Sequence, residues 1–533
     1  MTRKREIIVK PTTISAPIGG LNTTDSLMAM PPLDAVKLTN MIAGENGLRP
    51  RSGYVEWCTG IGAPDPIRTM LSLHGADPAE NKLFAITFDK IYDVTASSAA
   101  PGSVVTLPAT DSKSGYCEAL SFVTTADRYV ILCDETNGYY TRAESTGTWL
   151  KVTAGAGAGQ VNGADPTQFV QPCSHNGRLW FVIKNTTKAC FLDPASVYGV
   201  ASIWDFGQQF TKGGALAALF RWTRDGGSGM DDRLVAISTV GEVVVYEGTD
   251  PATYGAWKKA GGWYVGAVPA GRRLASEYGG DLLINTAAGA LPLSILVAGR
   301  ALTPDVYASA KVKKLFASYM TDRRASIGWS ILPVNSDNIL VFTIPLIPGE
   351  DNFQLALSLD RGAWSEFKSV PITHGVEFEG VFYFGTSDGR VCKYRGDVDN
   401  VARDGSSTQN KEIKFFVLPA FTSLGSALKK QIQHVEVLLI SYGLIPNYKV
   451  EARWDFNQDE IVVPVGGTGS IGTNVWDTAV WDAAVWQGDL IAYGKPVGVT
   501  GMGTHFSLGF AGSSRQRIEF VGFNIAVEMG GLL

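Results

Sequence analysis

Cysteine, histidine and surplus positive charge are all scarce in this sequence, and each scarcity narrows the chemistry open to it. Only 6 cysteines and 5 histidines occur among 533 residues. Cys58, Cys117, Cys133, Cys173, Cys190 and Cys392 show no CxxC spacing and mostly lie in apolar runs, so they read as buried thiols rather than as metal ligands or a disulfide framework. His74, His175, His374, His434 and His505 are scattered, with no HExxH and no pair at ligand spacing, so no metal site is expected. Lysine and arginine number 46 against 51 aspartates and glutamates, a net charge of −5. A protein that grips nucleic acid by neutralising phosphates needs the opposite balance. No apolar run approaches a membrane span, and the basic opening from Met1 to Lys10 lacks the apolar core of a signal peptide. The expectation is synthesis in a cytoplasm without membrane insertion.

Catalytic signatures are equally sparse. There is no serine nucleophile elbow and no phosphate-binding P-loop. Gly467-Thr468-Gly469-Ser470-Ile471-Gly472 matches GxGxxG and follows an apolar run, but Trp-rich rather than helical sequence comes next, so the dinucleotide context fails. Ser358-Leu359-Asp360-Arg361-Gly362-Ala363-Trp364 resembles the Asp-box of sialidases, yet it is one residue short before Trp364 and occurs once; it reads as a turn between strands. Carboxylates are plentiful, and a propeller glycosidase or lyase stays open as a class because sequence does not show two of them converging. The expectation is a protein that is not an enzyme, with no catalytic, cofactor-binding or metal-ligating residues.

What the chain has in quantity is β-forming sequence punctuated by turns. With 60 Gly, 25 Pro, 45% hydrophobic and 18% charged residues, it reads as globular and turn-rich. Its length calls for two or three folding units, or one large repeat architecture with appendages. The clearest unit runs from Val381 to Tyr394, where two β-branched and aromatic runs flank Asp388-Gly389, a tight-turn signal. Similar units open near Leu83, Tyr129, Leu179, Leu234, Leu282, Ile339 and Val381. Their intervals of roughly 42 to 57 residues approach the ~40–50-residue period of propeller blades. Several end in a tryptophan, Trp149, Trp204, Trp257 or Trp364, placed to fill the widening outer wedge between blades.

The predicted fold is therefore all-β: a β-propeller of six or seven blades over 61–398, an N-terminal segment over 1–60 that packs on a platform, and a C-terminal β platform over 399–533. A β-sandwich array is the competing architecture. The unit from Leu282 to Ser294 is weak. Two stretches, 151–166 and 221–232, read as long mobile insertions. One short helix is expected from Val306 to Met320, with Thr303 as cap, Pro304 in the first turn, and Lys311, Lys313 and Lys314 on a solvated face. The stretch 31–41 reads as a short helix with Pro31 and Pro32 at its start. In the C-terminal part, Gln433 to Ile440, Tyr448 to Trp454 and Ile518 to Val527 read as strands. Trp476, Trp481 and Trp486 recur every fifth residue, a spacing that fits neither helix nor strand. They read either as anchors of a loop or as candidate subunit contacts.

Both ends of the chain resemble one family. Gly19, Gly20 and Asn22, then Asp34, Asn40, Arg49, Arg51, Gly53 and Tyr54, set in Met30-Pro31-Pro32-Leu33-Asp34-Ala35 and Arg49-Pro50-Arg51-Ser52-Gly53-Tyr54, resemble the N-terminal signature of tail tubular protein B. That group comprises the tail nozzle or hub proteins of short-tailed, podovirus-like bacteriophages. The Trp-Asp repeat at 476–486 and the ending Val527 to Leu533 are similar to its C-terminal part. The resemblance implies a structural virion protein of the phage tail, a propeller on a platform, in which six copies form a ring. Such a homohexamer would meet the adaptor ring and tail fibres and pass double-stranded DNA without sequence-specific binding. A propeller-fold carbohydrate-binding or carbohydrate-active tail protein is the alternative.

Overall fold

The structure, a computed structural model, describes residues 9–61, 65–108, 111–225, 230–253, 255–347, 350, 353–406, 410–441, 446–463, 491–493 and 496–529. Its architecture is all-β, with six four-stranded propeller blades and a three-stranded sheet in fifth place around the same axis. The innermost strands are Thr69–Leu73, Cys117–Val123, Phe169–His175, Leu216–Asp225, Ala275–Tyr278, Ser330–Val334 and His374–Phe378. Neighbouring sheets lie against one another in chain order, and His374–Phe378 returns to Thr69–Leu73, which closes the circle.

The runs that open the repeats in sequence are the second strands of these sheets, not the first. Lys82–Ile86, Arg128–Asp134, Arg178–Ile183, Asp281–Thr286, Ile339–Thr343 and Val381–Gly385 are buried along nearly their whole length. A strand packed on both faces reads as a continuous apolar run. The strand before it faces the axis on one side, so Cys117–Val123 and His374–Phe378 alternate in burial and lack that signal. Trp149 packs edge-on against Phe84 of the preceding sheet, with ring centroids 5.4 Å apart, and Trp257 stacks on Trp180 at 5.7 Å, so outer aromatics do fill the wedges. All six cysteines are buried and free.

The last blade is completed from the other end of the chain. Tyr54–Cys58 pairs antiparallel with Val391–Tyr394 as its fourth strand, so the N-terminal segment expected over 1–60 reaches one strand into the propeller. The hairpin loop beside it spans 386–390, since Gly385 pairs with Val391, and is longer than the two-residue turn expected at Asp388-Gly389. Gly389 keeps a φ of 77°, the left-handed backbone that glycine tolerates.

The platform is a two-sheet sandwich drawn from both termini. One sheet orders Met41–Ala43, Leu48–Pro50, Ile518–Met529 and Lys430–Ser441, with Val9–Ser15 also on Ile518–Met529. The other orders Asp34–Thr39, Lys411–Pro419, Phe506–Ser514 and Asn447–Trp454. Phe510 and Phe520 stack across the shared core at 4.7 Å. The second sheet is continuous with the sixth propeller sheet through a parallel bridge from Thr39 to Glu366. The short helix considered over 31–41 is thus strand instead.

Two further expectations change. Pro304–Val306 forms only a 3-10 turn, Thr303 makes no capping bond, and the helix runs over Lys313–Arg323, with a shorter one over Leu293–Val297. The stretch 151–166 is not an open loop: Thr153–Ala154, Gln160–Asn162 and Gly199–Val200 make a small parallel sheet. Within 221–232, described residues extend the fourth sheet as paired strands up to Asp225↔Met230.

Candidate functional site

The polar residues of the N-terminal motif fall in two buried groups, one at each end of the strand Asp34–Thr39. Arg51 has a fully buried side chain and donates from both terminal nitrogens to Asp399, at 2.7 and 2.6 Å. Its Nε donates to Asn40 Oδ1 at 3.0 Å, and Nη2 reaches the Lys368 carbonyl at 3.2 Å. Burial works against the guanidinium charge, but the two-point Asp399 carboxylate outweighs it and the pKa rises. Asn40 has a φ of 56°; its side chain donates to Lys414 O and accepts from Lys368 N, both at 2.8 Å.

Arg49 and Tyr394 approach a second buried carboxylate. Asp337 accepts from Arg49 Nη1 at 3.0 Å, from Tyr394 at 2.9 Å and from Ser52 Oγ at 3.2 Å. Burial first, and then Asp337, push the Tyr394 phenol well above its ordinary range. Gly53 lies so close to the chain at Val398 that a Cβ would stand 2.0 Å from that carbonyl oxygen. Tyr54 follows as the first residue of the closing strand, edge-on to Phe384 at 5.6 Å. A polar cleft of about 220 Å³ opens beside this group, lined by Arg49, Asp337, Asp397 and Arg517 among others.

Gly19, Gly20, Asn22 and Asp34 make the other group. Asp34, 1% exposed, accepts from Asn22 Nδ2 at 2.7 Å and from Lys311 Nζ at 2.8 Å. Lys311 also donates to the Gly19 carbonyl, and Lys314 to Thr24 O at 2.7 Å. These lysines, expected on a solvated face, therefore tie the helix region to the platform. Gly20 has a φ of 81° and sits where a Cβ would come 2.6 Å from the Trp364 nitrogen.

A second polar cluster, unmarked by any motif, closes the propeller axis. The segment from Val265 to Leu274 links the fourth and fifth sheets and carries Arg272 and Arg273. Arg272 is bidentate to Glu135 at 2.9 and 2.9 Å and donates to Ala217 O at 2.7 Å. Arg273 donates to Glu118 at 2.8 Å, Thr69 Oγ1 at 2.7 Å and Cys117 O at 2.8 Å. One linker thus bonds to the first, second and fourth sheets. Burial raises the Glu118 pKa and Arg273 opposes it. His374 in the seventh sheet is held well below its ordinary value, first by burial and then by Arg273. Its Nδ1 accepts from Met70 N at 3.1 Å, a bond that needs that nitrogen unprotonated.

Trp476, Trp481 and Trp486 lie outside the described residues, as does the GxGxxG stretch. Asp399, Asp337 and Lys311, the partners that make the motif residues a network, had no local signal, being some 277 to 348 positions away in the chain. Among the described residues no cluster of histidine, cysteine, aspartate and glutamate suits a metal ion, and no helix is long and apolar enough to cross a membrane.

No family model and no curated protein matches the chain. Among solved structures, a computationally designed protein is similar over 64% of this chain and 99% of its own, with 11% identity and a TM-score of 0.35. A β-propeller domain from Myceliophteria thermophila covers 61% and 99%, at 10% identity and a TM-score of 0.36. BamB from Moraxella catarrhalis covers 67% and 93%, at 10% and 0.30. With such scores the fold rests on the strand pairing above.

Proposed function

We propose that this chain is a structural subunit of a short-tailed phage tail, the nozzle or hub, and that six copies form a ring conduit for the genome below the portal and adaptor. The observation that carries the reading is the coincidence of resemblance and architecture. The nine residues by which the N-terminus resembles that family lie in, or directly flank, two polar groups that tie platform strands to the propeller and the helix region. A rigid two-part subunit suits a ring wall, where broad interfaces rather than pockets carry function.

Two further points favour it. The propeller axis is spanned by Arg272 and Arg273, so a conduit has to lie between copies rather than through one propeller. A net charge of −5 suits passage of a polyanion, which a strongly basic wall would stall. The test is particle mass and shape, with and without the adaptor ring, by light scattering and electron microscopy. A closed six-fold ring of 57.1 kDa chains has a mass of about 340 kDa. A monomer under both conditions would sink the proposal.

A further inference from the structure

We infer that the mouth of the propeller axis is a binding site for an acidic sugar, independent of whether the chain forms a ring. A cleft of about 550 Å³ opens there, within the size range of small-ligand sites. Its floor is the Arg272–Glu135 pair, and a narrower recess beyond, lined by Glu118 and Arg273, holds only about 20 Å³. The cleft is a blind funnel. It suits the end of a chain, not a strand passing through.

Charge and shape set the ligand class. Arg324 and Lys113 line the cleft, are exposed, and form no ion pair or side-chain hydrogen bond among the described residues; Asp111 is the carboxylate whose charge Lys113 feels. Glu135, the acid in the cleft, is already neutralised by Arg272. The unanswered charge is therefore positive. Tyr264 also lines the cleft and is exposed, at 53%, with Lys212 Nζ 5.7 Å from its ring centroid. The remaining wall mixes small residues, Ala217, Ala267, Ala270 and Gly271, with apolar Val268 and Ile327. A ring to stack on, with the Arg324 and Lys113 cations on the same cleft, fits a carboxylated pyranose.

The test titrates the full-length protein at low salt with trigalacturonic acid, neutral galactotriose, inorganic phosphate and a nucleoside monophosphate. Saturable binding of the acidic trisaccharide is expected, about tenfold tighter than any of the other three, a difference of ~1.4 kcal/mol. Arg324→Gln combined with Lys113→Gln removes that preference, and Tyr264→Ala weakens binding while Tyr264→Phe retains it. Melting curves of the variants establish that they are folded. Equal affinity for the neutral sugar, equal or tighter affinity for phosphate or nucleotide, or no saturable binding overturns the inference.

Discussion

Arg51 and Asp399 show how few groups hold two bodies in register. Arg51 precedes the closing strand and Asp399 follows its partner strand, so one ion pair pins both crossings of the chain between platform and propeller. Desolvating two charges is costly, and such a pair is tolerable only because the remaining donors of Arg51 are also satisfied. Removing one partner leaves a buried charge unpaired. Asp399→Asn is accordingly expected to lower the unfolding free energy by about 3–5 kcal/mol, while Arg51→Met with Asp399→Leu costs less than either single change. Urea denaturation checks both, and a loss under about 1 kcal/mol for Asp399→Asn would place the pair among exposed salt bridges in effect. His374 makes a separate prediction in pH. Half-buried and within the field of Arg273, it is favoured in its neutral form in the fold, whereas the unfolded chain takes up its proton near the ordinary 6.5. The unfolded state then binds more protons in acid, so stability is full above that value and falls as pH drops below it. His175, lowered chiefly by burial, adds in the same direction. Each group contributes a slope of at most ~1.4 kcal/mol per pH unit, and His374→Gln should flatten the pH 7.5 to 5 profile by one such share. An unchanged slope would contradict the assignment.

At the scale of elements, the strand Tyr54–Cys58 matters most, because it converts an open row of sheets into a closed circle. Its two edges are both used: Val55 faces Lys393 in the ladder, and Glu56 N donates to Val401 O on the other side at 2.8 Å. Arg390, at the base of the hairpin loop, adds a bond to Glu56 at 2.7 Å. Val55→Pro removes one ladder donor and places a ring between paired strands, a loss of about 3 kcal/mol or more. Near-UV circular dichroism and proteolysis should report an opened seventh sheet, and a variant as resistant as the parent would mean that closure does not depend on this strand. The same element marks how far sequence carries. The repeats were legible, that at Leu282 to Ser294 only weakly and the count only as six or seven, because a second strand buried on both faces reads as an apolar run, as in Ile339–Thr343. The innermost strands were not, since Ala275–Tyr278 and His374–Phe378 mix polar and apolar residues at the axis. Nor did local patterning reveal that Tyr54–Cys58 belongs to a partner more than 300 residues later, because pairing at that range leaves no local trace. The helix was placed too early for a similar reason: Thr303 and Pro304 are good start signals, yet they open only a 3-10 turn, and the true helix begins at Lys313, where Lys311 and Lys314 are drawn into the platform. For the candidate sites, the motif glycines and arginines stood out in sequence, whereas Arg272, Arg273 and Arg324 sit in stretches with no spacing to flag them.

At the scale of the whole molecule, the propeller is an insertion between strands of the platform, since 9–50 and 411–529 both build the sandwich and the intervening chain builds the circle. Inserted domains often behave as independent units joined by linkers. Here three connections argue otherwise. The Thr39↔Glu366 bridge makes the sixth propeller sheet and one platform sheet continuous, and a single apolar core holds Phe342 and Trp364 of the propeller with Phe510 and Phe520 of the platform. The polar group around Arg49 and Arg51 adds two buried carboxylates, Asp399 and Asp337, each bonded to an arginine from the platform side. Opening the junction would expose that core and leave both carboxylates unpaired, so neither part is expected to survive the other's unfolding. Calorimetry should show one transition, with far-ultraviolet dichroism and tryptophan fluorescence moving together, as one cooperative unit requires. In Asp399→Asn the single transition should move to lower temperature without splitting. Two resolved transitions in the parent protein would mean that platform and propeller are separable bodies, and the rigid subunit on which a ring wall depends would lose its physical basis.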